Sequence, residues 1–284
     1  MPAASGSRNE SYIVNDDLFI RFNTRDAEFR KFGDERVAYE LLAQSTVSVP
    51  RVVALDETRT IVPYDFIVLT RLPGVNIAES KDVLTQTQVR ELARQAGINL
   101  ALIHSFAFER FGRLRSLDFY SWSDYFTDYV RRYERSAQLY GLLDDVTKHR
   151  LDSVLERAQP LIDRVTHGVL VHCDFHYENI LHERGKLTGI LDFEWAIAGD
   201  PANDLMIAET RQAVLPGSET AFVDGYLSIR PLDEQLGRRA EHYRLFLALE
   251  TMVMHKKDGN TLAVQLAQKN LLDLLDQVER WIGS

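Results

Sequence analysis

The stretch from Val169 to Asp192 constrains this chain more than any other. It holds three short apolar runs, at 169–172, 179–182 and 187–192, separated by segments crowded with polar side chains. The last two runs face each other across Glu183-Arg184-Gly185-Lys186, a turn with the glycine that a hairpin requires. Antiparallel pairing sets the entry of one strand beside the exit of the other, so Asn179 and Asp192 are predicted at one end of the hairpin. Asp174 precedes Asn179 by a short loop and reaches the same place. Two carboxylates and an amide oxygen therefore converge at one edge of a small sheet. Hard oxygen donors without a soft partner suit Mg²⁺, which keeps waters and takes further ligands from phosphates.

Other readings of "VHCDFHYENIL" are weaker. His172, Cys173 and His176 are close in sequence, but strand neighbours point to opposite faces, which does not make a zinc site. Cys173 as a nucleophile would need a nearby base and a lowered pKa, and no companion motif supplies them; a small buried thiol is the simpler role. No Gly-x-Ser-x-Gly announces Ser/His/Asp hydrolysis.

The flanking sequence sets an order of elements. "SYIVNDDLFIRF" reads as a hairpin turning at Asn-Asp-Asp, with Leu18, Ile20 and Phe22 on one face and Phe19 and Arg21 on the other. "FRKFGDERVAYELLAQ" is helical, with Val37, Leu41 and Leu42 as its apolar stripe. "VPRVVALDE" and "YDFIVLTRL" are two further strands, and Pro73-Gly74 breaks the pattern. From there to about residue 165 the periodicity is helical, and the aromatics of "WSDYFTDYVRRYERSAQLYGLL" are read as core packing. Helix returns from about Glu234, and no internal repeat is present. The expectation is an α+β chain with a strand-rich part at 1–73 and a larger, mainly helical part at 74–284.

Composition excludes several classes. With 45% apolar and 26% charged residues and no uninterrupted apolar run of membrane-spanning length, a soluble globular protein with no membrane partner is expected. A net charge of −9 opposes sequence-independent binding to nucleic acid and mildly favours a cationic small substrate. The opening "MPAASGSRNE" lacks a secretory signal, and Cys173 is the sole cysteine, so a reducing, cytoplasmic location is expected.

The pieces His172-Cys173-Asp174, Asn179 and Asp192-Phe193-Glu194 follow the order of the protein-kinase catalytic loop and metal-binding aspartate. More closely, "VLVHCDFHYENILHERGKLTGILDFEWAIAGDPANDL" resembles the core of the aminoglycoside phosphotransferase family, with Cys173 where that family usually has glycine. "LALIHSF", "SVPRVVALDE" and "DFIVLTRLPG" resemble its Leu-His segment, its early strands and its hinge. The resemblance implies a bilobal protein-kinase-like fold, with a nucleotide-binding lobe at 1–73 and a catalytic and substrate-binding lobe at 74–284.

It also implies roles. Asp174 is the catalytic base; Asn179 and Asp192 hold Mg²⁺ between the nucleotide phosphates. His172 and His176 support the loop, and Asp204 braces it. Asp200 sits in the same Gly-Asp-Pro match, although before Pro201 it is also a plausible helix cap. Arg21 stands where the family has its phosphate-binding lysine, with Glu35 as its partner; an arginine fork can hold phosphate oxygens. Thr70, Arg71 and Leu72 would meet the base of ATP, or of GTP, with Leu69 behind it. The turn covering the phosphates would be "ASGSRNES".

The implied reaction is Mg²⁺-dependent transfer of the nucleotide γ-phosphate to a hydroxyl of a small molecule, an aminoglycoside antibiotic being one candidate. Choline, homoserine, sugar and macrolide kinases share this core, and a weakly active regulatory nucleotide-binding protein is the alternative from another class. Resistance does not follow from the family's name. Protein-kinase activity fits less well, since Phe-Glu follows Asp192 and no Ala-Pro-Glu segment is present. Asp118, Asp124, Asp128 and Glu209 are carboxylates that a cationic acceptor could use.

Overall fold

The computed structural model of the protein describes residues 9–24, 29–211 and 215–282. Its first strands, β1 (Glu10–Val14) and β2 (Leu18–Asn23), pair antiparallel with Tyr12 opposite Ile20. Asn15 and Asp16 turn the chain at positive φ, a conformation their short polar side chains tolerate. Helix α1 (Phe32–Leu42) follows, then β3 (Val52–Asp56) and β4 (Asp65–Thr70), giving a sheet in the order β1-β2-β4-β3. Alternation on β2 turns Arg21 and Asn23 into the interior. The stripe expected on α1 is corrected: the helix buries Glu35, Ala38, Tyr39 and Leu42, whereas Val37 and Leu41 are only partly buried. A charged residue is on the inner face because a buried cation waits for it there.

After the two-residue strand β5 (Val75–Asn76), helix α2 (Gln86–Ile103) starts at a capping box. Thr85 accepts from the Gln88 amide while the Gln88 side chain accepts from the Thr85 amide. Two short strands, β6 (Ala107–Phe108) and β7 (Gly112–Arg113), interrupt the expected helical run before α3 (Trp122–Leu139) and α4 (Asp145–Ile162). Then come β8 (Gly168–Val171), a 3-10 turn (Tyr177–Asn179), β9 (Ile180–Glu183), β10 (Lys186–Ile190) and β11 (Ile197–Gly199). Helices α5 (Ala202–Arg211), α6 (Glu219–Leu227), α7 (Leu236–Lys257) and α8 (Thr261–Ile282) complete the chain. The mixed α+β class read from the sequence is the observed one. Among the described residues no helix is long and apolar enough to cross a membrane.

The expected hairpin is β9–β10, with Ile180 opposite Ile190 and a turn at Arg184-Gly185, both at positive φ. It is the two-residue connection whose twist matches the strands. Strand β5 joins it as a third member, Val75 pairing with His182 and Asn76 with Leu181. Thr188 donates to the Pro73 carbonyl at 2.7 Å, and a side chain at Gly189 would overlap Leu72. The segment that leaves β4 is thus fastened to the hairpin.

The chain divides into two compact units. The first contains the residues up to Phe108, Arg113–Leu117 and Val169–Leu232, so the expected boundary at 73 and 74 falls inside it. Its core gathers Leu92, Ala96, Leu100, Phe175, Ile180, Ile190, Phe193 and Phe222. Within it α2 and α6 approach closely at two glycines: a side chain at Gly97 would overlap the Phe222 carbonyl, and one at Gly225 the Arg94 carbonyl.

The second unit contains Glu109–Gly112, Asp118–Gly168 and the chain from Asp233 on, and is built on α3, α4, α7 and α8. The aromatic stripe of α3 is core here. Trp122 donates its indole N–H to the Tyr243 hydroxyl at 2.7 Å, and Phe126 meets Phe246 edge-on at 5.5 Å. Full burial of such side chains stabilises by roughly 1.5–3 kcal/mol each.

Candidate active site

All the residues singled out by sequence for catalysis and metal or phosphate binding lie in the first unit. Two polar clusters hold them.

The first cluster is the loop after β8. The Asp174 carboxylate receives the His176 imidazole on one oxygen, at 3.1 Å, and the Asn179 amide nitrogen on the other, also at 3.1 Å. That amide nitrogen donates as well to the Asp174 carbonyl, at 3.0 Å, so both these bonds run to Asp174 and Oδ1 is the acceptor atom of the side chain. His176 accepts the Glu178 N–H through Nδ1, so Nε2 carries the proton that Asp174 receives. His176 therefore orients the carboxylate directly, which is more than the loop support expected of it. Asp174 remains 34% exposed.

Hydrogen bonds tie this loop to the end of the hairpin. The Leu191 amide donates to the Asn179 carbonyl at 2.9 Å, so Asn179 lies alongside the residue that precedes Asp192. His172 accepts the Asp174 N–H on Nδ1 and bonds the Leu191 carbonyl through Nε2 at 2.9 Å. Asn179 ends the 3-10 turn just before β9, and Asp192 lies two residues beyond β10. Cys173 and Asp192 both have positive φ, 65° and 68°, which costs a side-chain-bearing residue about 1–3 kcal/mol. The strain sits at the two turns that present Asp174 and Asp192.

The loop is anchored from beneath by Asp204. This buried carboxylate accepts the His172 and Cys173 amides, both at 2.7 Å, and the His104 imidazole at 3.1 Å. His104 meets the Tyr226 hydroxyl on its other nitrogen at 2.9 Å. Burial holds the Tyr226 hydroxyl above its ordinary range, keeping it a neutral donor. Asp200, by contrast, accepts the Ala202 N–H at 3.0 Å and opens α5, the capping alternative.

The second cluster centres on Arg21. Its Nη1 reaches Glu35 at 2.7 Å, and its Nη2 reaches Asp192 at 2.8 Å and also Glu194. The expected Arg21–Glu35 pair thus exists, and it extends to the aspartate of the hairpin. Tyr39 donates to Glu35 at 2.9 Å and accepts the Asp192 N–H at 3.1 Å. Burial pushes the Glu35 carboxyl up, to about 7, against the opposing pull of Arg21, with Asp192 and Glu194 adding to the rise. Burial also works against the Arg21 charge, yet Asp192, Glu35 and Glu194 together hold its pKa above the ordinary value.

Tyr39, Asn9, Lys31 and Glu194 escaped the sequence reading as members of this cluster. Glu194 accepts from Arg21, from Lys31 at 2.9 Å and from Asn9 at 2.7 Å, and its side chain is only 4% exposed. Lys31 is fully buried, with its ammonium 5.5 Å from the Trp195 ring centre. The only signal was "DFE" itself, whose glutamate marks a departure from Asp-Phe-Gly.

The remaining candidates lie elsewhere. Thr70 ends β4 and Arg71 follows it, their amides engaged by the Arg51 and Asp17 carbonyls, while Leu69 is buried. Leu72 packs over Gly189. In the second unit Ser121 caps α3, accepting the Asp124 N–H and donating to the Asp124 carboxylate, and Asp128 pairs with Arg132 on an exposed helix face. The side chain of Glu209 and most of "ASGSRNES" lie outside the described residues. No three His, Cys, Asp or Glu side chains among the described residues form a ready-made metal cluster.

A sheet carrying a buried Arg–Glu pair, fastened to a hairpin that presents an aspartate and an asparagine beside a second aspartate, belongs to the kinase-like class. Residues 1–242 match the model of the phosphotransferase enzyme family APH, and the chain belongs to that family. It is accordingly a kinase, a phosphotransferase acting on an alcohol group. Its fold is similar to that of APH(2")-IIa in complex with gentamicin, at a TM-score of 0.73 and 17% identity over 95% of this chain and 90% of that one. It is also similar to apo APH(4)-Ia, at 0.69 and 18% over 98% and 94%, and to ADP-bound APH(2'')-Ib, at 0.70 and 17% over 96% and 93%. A shorter match, 36% identical over 69 residues, is to the N-acetylmuramate/N-acetylglucosamine kinase of Caulobacter vibrioides. That match spans 22% of this chain and only 19% of the relative.

Proposed function

We propose that the protein transfers the γ-phosphate of ATP, or of GTP, to a hydroxyl of a small molecule in an Mg²⁺-dependent reaction, with Asp174 as the base. The observation that carries this reading is the orientation of Asp174. Both its oxygens are held by His176 and Asn179, while a third of the side chain stays open to an incoming hydroxyl. Functionally, residues 1–73 serve the nucleotide, and 74–284 supply the catalytic loop and the acceptor site.

The residues present fit a magnesium ion. Asn179 Oδ1 and the second oxygen of Asp192, whose side chain is 31% exposed, are hard donors spent on none of the described residues. Two protein ligands suffice where phosphates and waters complete the octahedron. When bound, the ion neutralises charge developing on the phosphate oxygens. Asp174 accepts the proton of the acceptor hydroxyl as that oxygen attacks the γ-phosphorus and the bond to the β-phosphate oxygen breaks. Arg21, kept charged and aimed by Glu35, meets the charge left on the nucleotide phosphates. The purine would lie against the backbone at Thr70–Leu72, above Leu69. His172 and Asp204 hold the loop, and catalysis is mainly positioning.

The acceptor is proposed from chemistry and likeness. The net charge of −9 suits a polycation, and APH(2")-IIa is known in complex with gentamicin. An amino-sugar or sugar acceptor is the second reading, favoured by the local match to an N-acetylmuramate/N-acetylglucosamine kinase. A coupled nucleotide-consumption assay over aminoglycosides, N-acetylated amino sugars, macrolides, choline and homoserine decides between them. Turnover with one class, abolished in Asp174→Asn, is the expected result; full turnover in that variant would remove Asp174 as the base.

A further inference from the structure

Among the described residues of the Arg21 cluster, the carboxylate with the most partners is Glu194, for which the proposed reaction has no direct use. It receives Asn9, Arg21 and Lys31, and three donors leave it little capacity for a ligand. Asp192, two residues earlier, is the more open of the pair. Glu194 shares one nitrogen of Arg21 with Asp192, since Nη2 contacts both while Nη1 is committed to Glu35. The position of the guanidinium is therefore a balance between the two acidic residues that flank Phe193.

Lys31 sets that balance. A fully buried lysine is rare unless paired, and among the described residues this one pairs with Glu194 and has the Trp195 ring beside it. Lys31 immediately precedes α1, and its side chain makes no capping hydrogen bond. With Lys31 in place the cluster sets two cations, Arg21 and Lys31, against three carboxylates, Glu35, Asp192 and Glu194. Without it one guanidinium would serve all three. Glu194 is buried and would be left with the larger uncompensated charge, so it would draw Nη2 away from the more solvated Asp192.

We propose that Lys31 is a positioning residue for phosphoryl transfer. It neutralises Glu194 and so leaves the Arg21 fork aligned with Asp192 and the nucleotide phosphates. The inference rests on the phosphotransferase reading above and extends it to a residue that touches neither substrate nor metal. It also gives a reason for arginine at position 21, because a point-like ammonium has no second nitrogen to hold Glu35 while the first is shared by Asp192 and Glu194.

The test is titration calorimetry with Mg-ATP and Mg-GTP on the full chain, in the wild type and in Lys31→Met, Lys31→Arg, Glu194→Gln and the Lys31→Met/Glu194→Gln double variant. Loss of an outer-shell partner typically weakens a site about 10- to 100-fold, and Lys31→Met is expected to raise the nucleotide Kd by that amount. The double variant, lacking both the cation and the charge it balances, should return to within about threefold of wild type, as should Lys31→Arg. A purely structural lysine gives no such rescue. Wild-type affinity in Lys31→Met, or a double variant as weak as the single one, overturns the proposal. Should Lys31→Met fail to fold, the double variant and Lys31→Arg carry the same decision. A wild type that binds neither nucleotide brings down the phosphotransferase reading itself, and this inference with it.

Discussion

The two polar clusters of the first unit are built in opposite ways. The Asp174 loop is local: His176 and Asn179, the groups that hold the carboxylate, lie two and five residues along the chain. It is also partly open to solvent, with Asp174 about a third exposed. The Arg21 cluster is assembled from β2, the start of α1 and the end of the hairpin, and apart from Asp192 its charged side chains are buried. In the open loop a lost hydrogen bond can be replaced by water, so substitutions there should change chemistry more than stability. In the buried cluster and its anchors, every removed partner leaves a desolvated charge, and stability should suffer first.

The largest expected effect is on the open side. Asp174→Asn keeps the size of the side chain and one of its two acceptor oxygens, and at a position 34% exposed water can meet the donor left over, so its midpoint in urea should shift little. Turnover should fall by roughly 10²- to 10⁴-fold, the range for loss of a general base. A variant that unfolds as readily as it loses activity would blur the contrast between the clusters.

Next is Asp204→Ala, which removes the acceptor shared by His104 and the His172 and Cys173 amides. Breaking a buried charged partnership costs about 3–5 kcal/mol, read as a lowered urea midpoint with the m-value unchanged. A loss below about 1 kcal/mol, the worth of one ordinary hydrogen bond, would show that water replaces the carboxylate there.

Gly97→Ala probes packing in the same unit without touching charge. The added methyl meets the Phe222 carbonyl, a rigid backbone group, and overpacking of this kind costs about 1–3 kcal/mol. Wild-type stability would mean that α2 and α6 can move apart. The smallest effect is expected at Cys173, held at positive φ immediately before Asp174. Cys173→Gly should relieve strain and be neutral to stabilising by up to about 1 kcal/mol, with turnover retained. A clear loss of activity would assign the thiol a part in the loop that its backbone conformation does not explain.

The same contrast explains what could be read in advance. Asp174, Asn179 and Asp192 were legible because their geometry follows from a short loop and a hairpin turn, both local in sequence. Arg21 and Glu35 came from resemblance, and their pairing at 2.7 Å agrees with it. Lys31 and Glu194 were not legible, because 163 residues separate them and no periodicity links a helix start to a hairpin exit. The inner face of α1 was misread for a related reason. Reading apolar periodicity alone puts Val37 and Leu41 inside, whereas the buried guanidinium of Arg21 pulls Glu35 in. His104 was read only as part of a segment resembling the family's Leu-His stretch, and Tyr226 not at all; only tertiary contact brings His104 to Asp204 and Tyr226 to His104.

The central claim is that Asp192 and Asn179 hold a metal–nucleotide complex in reach of Asp174. Titration calorimetry of Mg-ATP and Mg-GTP into the wild type and Asp192→Ala, repeated across Mg²⁺ concentrations, tests it most directly. The account predicts saturable binding of at least one nucleotide to the wild type and a sharply higher Mg²⁺ requirement in the variant. Absence of binding to the wild type, or the same Mg²⁺ dependence in both proteins, would contradict it.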